Sequence, residues 1–481
     1  MKKAFIKRSL LVLTAVMLSS SLMACGKKGA TDTDKPSTAA ITKPTVITAM
    51  FDTTFLTPEI GQQKLADEFK NKTGIELKIN QPAHNQYYEK VNLAFASGEA
   101  PDVVELGGTP LVNYSSNGAL YDITKLVDSS DTMKNIDQKY KDSVKVNGKM
   151  FAFPIQMGNG CITYMRKDVL DKNNVKVPTT YEEYMTALKT FAKEGMTAFT
   201  APGLVADETP FTMYLREFYQ DAEPDYVKKD GKWVDGMLQP EMKAALNRLK
   251  DAYSQNLIDK EIVTNKTSTC RDKWNAGKVG AFTYWAGSWN MNLDNDLKKQ
   301  VPTATMIALP AIKEIKYIDR VPTSLGINNK SKNPEGVYKH LIEYMHDGGE
   351  GTKLFTLGVE NVHYKVADGK TTLLPKLDDA KKLSIKAYID FGLNLEKNYK
   401  ESITLDPRVT SSLATFNANS KPASLLPASE EYTSSSADVL TARKTAVAKI
   451  VLGQVSVEDG LAQYAKDTKT ATESILKSFN K

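Results

Sequence analysis

Between Val46 and Leu106 the apolar pattern changes period four times, and that alternation leaves the chain few folds to choose from. Val46-Ile47-Thr48-Ala49-Met50-Phe51 reads as a buried strand, ended by Asp52-Thr53-Thr54. Thr57-Pro58 is expected to open a helix, since threonine caps free amides and proline suits the first turn. Leu65, Ala66 and Phe69 give that helix an apolar stripe, and Gly74 stops it. Ile75 to Ile79 alternates as a strand does. A second helix comes next, with Tyr88, Val91 and Phe95 on its stripe and Gly98 at its end. Val103-Val104-Glu105-Leu106 is a third strand. A β-α-β-α-β run of this kind predicts an α/β domain, a parallel sheet with helices on its faces. Ligands of such sheets sit outside the carboxyl ends of the strands. Here those ends are Asp52-Thr53, Gln81 and Glu105-Leu106-Gly107, which should converge on one crevice.

The N-terminus fixes the compartment. Lys2, Lys3, Lys7 and Arg8 precede the apolar run Leu10 to Leu18, the layout of a secretory signal. That run is shorter than the ~20 residues that span a bilayer. Leu22-Met23-Ala24-Cys25 resembles the lipobox of bacterial lipoproteins. The resemblance implies cleavage before Cys25, a lipid on its sulfur, and a place on the outer face of the cell membrane. Residues 26 to 44, rich in Lys, Gly, Thr, Asp, Ser, Ala and Pro, cannot bury a core and read as a flexible tether.

The formal charge of +6 includes four charges from the signal segment, so the processed chain is near +2. No run of like charge forms a nucleic-acid footprint. Cys161 and Cys270 are the two cysteines left beside Cys25. A chain of this size needs no disulfide to build a core, so two free, buried thiols are expected. Asn147-Gly148 between apolar runs predicts a tight turn or hairpin. Thr180 and Glu183 have capping-box spacing before a helix carrying Tyr184, Leu188 and Phe191. From about Asp378 the pattern is mostly helical, with breaks expected at Ser411-Ser412 and Ser434-Ser435-Ser436.

Several blocks, in order, resemble family 1 extracellular solute-binding proteins, the receptors of carbohydrate ABC importers. They are Ala96-Ser97-Gly98-Glu99-Ala100-Pro101-Asp102-Val103-Val104, Gly148 to Pro154 with Tyr164 to Asp168, Asn275 to Phe282 leading to Gly287-Ser288-Trp289, and Leu325 to Pro334. Gly358 to Tyr364 looks like a segment of the large Gram-positive lipoprotein subgroup. The resemblance implies a two-lobed, periplasmic-binding-protein-like fold of type II, each lobe a sheet flanked by helices. Residues 45–153 and about 311–348 would form the first lobe. Residues 154–310 and 349–481, with extra C-terminal helices, would form the second. It implies a lipid-anchored monomer that closes on an oligosaccharide and delivers it to ABC permease subunits. No calcium loop of alternating Asp and Asn is present, and no cofactor or metal is expected.

Sugars present apolar faces, which aromatic rings stack on, and hydroxyl rims, which carboxylates and amides bond. Trp285 and Trp289 suit the faces. Asp52 and Glu105 at the strand ends suit the rim, as do Gln156, Asn159 and Tyr164 after the first crossing. Glu360 and His363 lie in the subgroup-like block. Each also has a plain structural use, such as packing, capping or solvation. Two alternatives remain open. One keeps the fold and changes the cargo to a polyamine, a peptide or a metal complex. The other is an extracellular glycoside hydrolase, whose two acids leave no sequence signature. Zinc-ligand spacing, a Gly-x-Ser-x-Gly elbow and a Walker loop are all missing, and no catalytic residue is expected.

Overall fold

The computed structural model describes residues 41–52, 61–155, 160–202, 204, 211–373, 406–423 and 425–481. Cys25, most of the tether, Thr57-Pro58, Gln156 and Asn159 lie outside the described residues.

The first sheet has the strand order Glu76–Asn80, Val46–Met50, Val103–Leu106, Ser324–Ile327, Ala152–Pro154. Its first three strands are parallel and the last two pairings antiparallel. The helices Gln62–Thr73 and Tyr87–Ser97 make the connections. Gly74 and Gly98 end them at φ 71° and 78°, a left-handed conformation that costs glycine little. Leu65 and Phe69 bury the first helix's stripe, and Phe69 meets Tyr344 and Phe355 edge-on. On the second helix the buried residues are Tyr87 and Val91, whereas Tyr88 is 42% exposed. The stripe therefore starts at Tyr87 instead of Tyr88, with Val91 buried and Phe95 half-buried against the core as expected. Tyr87 can enter the core because its hydroxyl finds backbone partners at Met50 O (2.8 Å) and Glu105 O (2.9 Å).

The second sheet runs Met306–Ala308, Cys161–Arg166, Val279–Trp285, Thr197–Thr200. Every residue of Cys161–Arg166 is buried. The long helices Glu430–Val451 and Val457–Phe479 pack on this second core through Val447, Ile450, Tyr464 and Ile475. The serine-rich breaks expected in this region are helical instead. Ser411 and Ser412 lie inside Pro407–Asn419, and Ser434 to Ser436 inside Glu430–Val451. Helical serines bond backward to carbonyls, as Ser411 does to Arg408 and Ser434 to Glu431, and so cost these helices little.

Core membership shifts the expected lobe boundaries. Ile312, Ile315, Tyr317 and Ile318 belong to the second core, so the chain returns to the first near Leu325 rather than 311. Leu354 and Phe355 still belong to the first core, past the expected end at 348. At the edge of the second core, Tyr317–Asp319 pairs in parallel with Ser420–Pro422. Gly160 lies against this ribbon, where a Cβ would collide with the Ile318 carbonyl and the Phe416 ring.

Turns and caps form close to expectation. Asn147 and Gly148, both at positive φ (50° and 78°), turn a short hairpin. Thr180 caps the Tyr181–Lys193 helix by accepting Glu183 N–H at 3.2 Å. The Glu183 carboxylate reaches Thr179 rather than the cap residue itself. Neither Cys161 nor Cys270 is in a disulfide and both are buried, as expected.

His346 is fully buried beside Phe153 (4.9 Å between ring centres), and neither ring nitrogen makes a well-aligned hydrogen bond among the described residues. Burial pushes its pKa down from 6.5 to about 4. The unfolded chain therefore takes up this proton first as pH falls. The neutral histidine's stabilisation is complete above pH 6.5 and is lost down to about pH 4. The loss amounts to about 3 kcal/mol. In urea unfolding, His346→Leu should lose less stability than the wild type between pH 7 and 4.5. Parallel losses would remove His346 as an acid-sensitive site.

Candidate functional site

The parallel register sets Asp52, Gln81 and Glu105 side by side. Asp52 N–H donates to Glu105 Oε2 (3.0 Å), and Gln81 Nε2 donates to the Asp52 carbonyl (3.1 Å). Gln62 Nε2 in turn donates to Gln81 Oε1 (2.5 Å), tying in the first helix. Asp52 is buried, and its Oδ2 lies 2.7 Å from Nδ1 of the exposed His84 ring. The three strand ends thus converge as the alternation predicts.

Glu105 is partly buried at the centre of this group. Burial first, and the Asp52 charge second, push its carboxyl up to about 8, against the bond from Asp52 N–H and the charges of Arg320 and His84. At neutral pH Glu105 is therefore mostly the carboxylic acid. Tyr88 stands exposed, close enough for the Glu105, Asp52 and Arg320 charges to act on its hydroxyl.

The second lobe contributes through the end of Val279–Trp285. Neighbouring residues on a strand point to opposite faces. Trp285 meets the Arg320 guanidinium, 4.7 Å from its ring centre. Tyr284 turns the other way, to Trp289 edge-on (4.9 Å) and to Arg271, which also lies over Trp289 (5.1 Å). The two tryptophans, both partly buried, therefore stand on different neighbours.

Tyr164, expected among the ligand contacts, is fully buried. Its hydroxyl donates to Trp285 O (2.8 Å) and lies 3.2 Å from Ser412 Oγ. Ser412 also accepts Gly287 N–H (3.1 Å), and Asn290 Nδ2 donates to Arg408 O (2.8 Å). Tyr164 and the Pro407–Asn419 helix thus hold the tryptophan segment in place. His363 is also buried rather than open to a ligand. Its Nδ1 accepts Val359 N–H (2.8 Å), and its ring packs against Gly61 and Gly358. Glu360 is exposed in the same loop.

Sequence reading passed over His84, Tyr88 and Arg320 as site residues. Tyr88 and Gln81 carried a signal, one as part of an expected helical stripe and the other as a predicted strand end. Arg320 carried none, because its importance comes from a crossing between lobes.

A family model of the bacterial extracellular solute-binding proteins matches residues 58–345, more than half of the chain. The chain belongs to that family. This solute-binding protein is 26% identical over 271 residues to the diacetylchitobiose-binding protein DasA of Streptomyces coelicolor, covering 54% of this chain and 60% of DasA. It is 23% identical over 334 residues to the polygalacturonan/rhamnogalacturonan-binding protein YtcQ of Bacillus subtilis, covering 63% of this chain and 64% of YtcQ. The matched stretches span less than two thirds of either relative. Among solved structures, the alginate-binding protein AlgQ2 without calcium superposes with a TM-score of 0.66 at 20% identity, over 91% of this chain and 97% of that one. The solute-binding protein thus has the two-lobed α/β fold. Among the described residues, no helix is long and apolar enough to cross a membrane.

The Glu105 carboxyl should leave its mark on stability. Its folded pKa lies above the ordinary value of 4.5, so its protonated form stabilises the fold fully below pH 4.5, and that support is lost as pH rises through about 8. Glu105→Gln keeps a neutral side chain at all pH. Its melting temperature relative to wild type should rise steadily from pH 5 to pH 8.5. A constant difference would mean that Glu105 titrates in the ordinary range.

Proposed function

We propose that this protein captures an oligosaccharide between its two lobes and delivers it to the permease of an ABC importer. The observation that carries the reading is the grouping around Arg320. The Arg320 charge acts on Glu105 and Tyr88 of the first lobe, Glu105 adjoins Asp52 and through it His84, and the guanidinium lies over Trp285 of the second lobe. Carboxyl, imidazole and hydroxyl groups suit a sugar's hydroxyl rim, and indole rings suit its C–H faces. Trp289, Gln156, Asn159 and Glu360 are proposed as further contacts along the cleft. Relatives named for chitobiose, pectic chains and alginate support a carbohydrate cargo.

Bending of the crossing segments closes the lobes on the sugar. The closed form then docks on separate permease chains, and ATP is hydrolysed elsewhere. The Leu22-Met23-Ala24-Cys25 motif supports a lipid on Cys25, holding the receptor as a monomer on the outer face of the membrane. Cys25→Ser should leave the precursor unprocessed and without lipid when tracked by metabolic labelling with a fatty acid. A normally labelled variant would sink the anchor.

One observation favours a second reading. A carboxylic acid held protonated beside a carboxylate is the electrostatic arrangement that glycoside hydrolases use. Calorimetric titration of the purified protein with oligosaccharides, peptides, polyamines and metal complexes, and then chromatography of the sugar, separates the two. A receptor returns the sugar intact, and cleaved product would establish the hydrolase. Trp289→Ala should weaken sugar binding several-fold or more with the melting temperature preserved. Unchanged affinity would take Trp289 out of the site.

A further inference from the structure

Among the described residues, no carboxylate lies within ion-pair distance of Arg320, although its charge acts on Asp319 and Glu105. Arg166, Arg216, Arg408 and Arg443 each hold a carboxylate, and Arg248 and Arg271, which do not, donate to the Phe218 and Tyr219 carbonyls and to the Tyr284 hydroxyl. Arg320 has a long hydrogen bond to Thr323 Oγ1 (3.5 Å) and the face of Trp285. Its Nε is buried and has no acceptor among the described residues. A buried, unsatisfied donor on a charged group is costly unless something arrives to satisfy it.

Two of the acids nearby hold other partners. Asp52 Oδ2 is bonded to His84, and Glu105 Oε2 accepts Asp52 N–H. Glu105 is largely protonated at neutral pH, so it neither neutralises Arg320 nor repels an incoming anion. Asp319, the preceding residue, feels the Arg320 charge ahead of that of Lys139, but its carboxylate is not within ion-pair distance of the guanidinium. Stacking on Trp285 holds the guanidinium plane fixed and partly desolvated, which strengthens any bond that it makes to an anion. A planar guanidinium fork matches a carboxylate in two parallel bonds, a fit that a neutral hydroxyl cannot reproduce.

We infer that Arg320 receives a carboxylate of the bound sugar, so that the ligand is an acidic oligosaccharide built from uronic acids. The inference rests on the carbohydrate reading and narrows it. Arg320 is then the specificity-determining residue, and Trp285 its seat. Bridging the two lobes, the bound carboxylate also couples charge recognition to closure.

The test is calorimetric titration of the purified protein with trimers of galacturonate, mannuronate and guluronate. The same trimers as methyl esters, which keep the shape and lose the charge, and neutral trimers of glucose, galactose and N-acetylglucosamine complete the panel. One uronate trimer should bind at least about tenfold more tightly than its own ester, a preference that shrinks as salt is raised. Arg320→Gln should abolish that preference while sparing the ester, and Arg320→Lys should restore part of it. Equal affinity for acid and ester in the wild type would overturn the inference, and this comparison stands even where the variants fail to fold. Binding of neutral trimers alone would overturn it and leave the carbohydrate reading intact. Binding of no sugar at all would overturn both.

Discussion

The register of three parallel strands governs the binding half of this molecule. Ala49 lies opposite Val103, Met50 opposite Val104, and on the other side Met50 opposite Asn80. Asp52 and Gln81, just beyond two of these strands, and Glu105, near the end of the third, therefore share one edge. The Tyr87 hydroxyl fastens two of the strands where they end, bonding to the Met50 and Glu105 carbonyls and accepting Glu105 N–H (3.0 Å). The same register buries Glu105 and sets the Asp52 charge beside it, and burial first, with that charge second, favours the proton on Glu105. Backbone pairing thus sets the chemistry of the crevice.

The second lobe reaches the same place by different means. Its sheet is mostly antiparallel, and Trp285 ends a strand that needs support from outside. That support comes from Tyr164 across the sheet and Ser412 on a helix far along the chain. The C-terminal helices are thus more than a cover for the core. Pro407–Asn419 fixes the backbone that presents both tryptophans, while Arg443, buried among Asp225, Asp235 and Tyr226, anchors the long hairpin behind it.

Much of the first lobe was legible because its signals are local. Period changes, the glycines at 74 and 98, and the Asn147-Gly148 turn act within a few residues, and the strands, the helix ends and the hairpin they mark form as read. Misreadings occur where tertiary context decides. Tyr87 and Tyr88 fit a helical stripe equally well, and backbone carbonyls from two strands select Tyr87 for the core. Ser412 looks like a break in sequence and is a buried hydrogen-bond hub in the fold. Tyr164 and His363 have the right chemistry for a ligand, yet packing encloses them. Arg320 gave no local signal, since an arginine on a lobe crossing gains meaning only from what both lobes bring to it.

The two thiols have a consequence for where such a protein can work. Cys161 sits in the central strand of the second sheet, and Cys270 is buried on the adjoining helix. Burial raises the Cys270 thiol to about 12, which leaves almost no thiolate at neutral pH to attack a disulfide or meet an oxidant. No structural bond in the described fold has to be oxidised, and none can be reduced. The described fold therefore holds no disulfide whose formation or loss would change its stability between aerated and anaerobic surroundings.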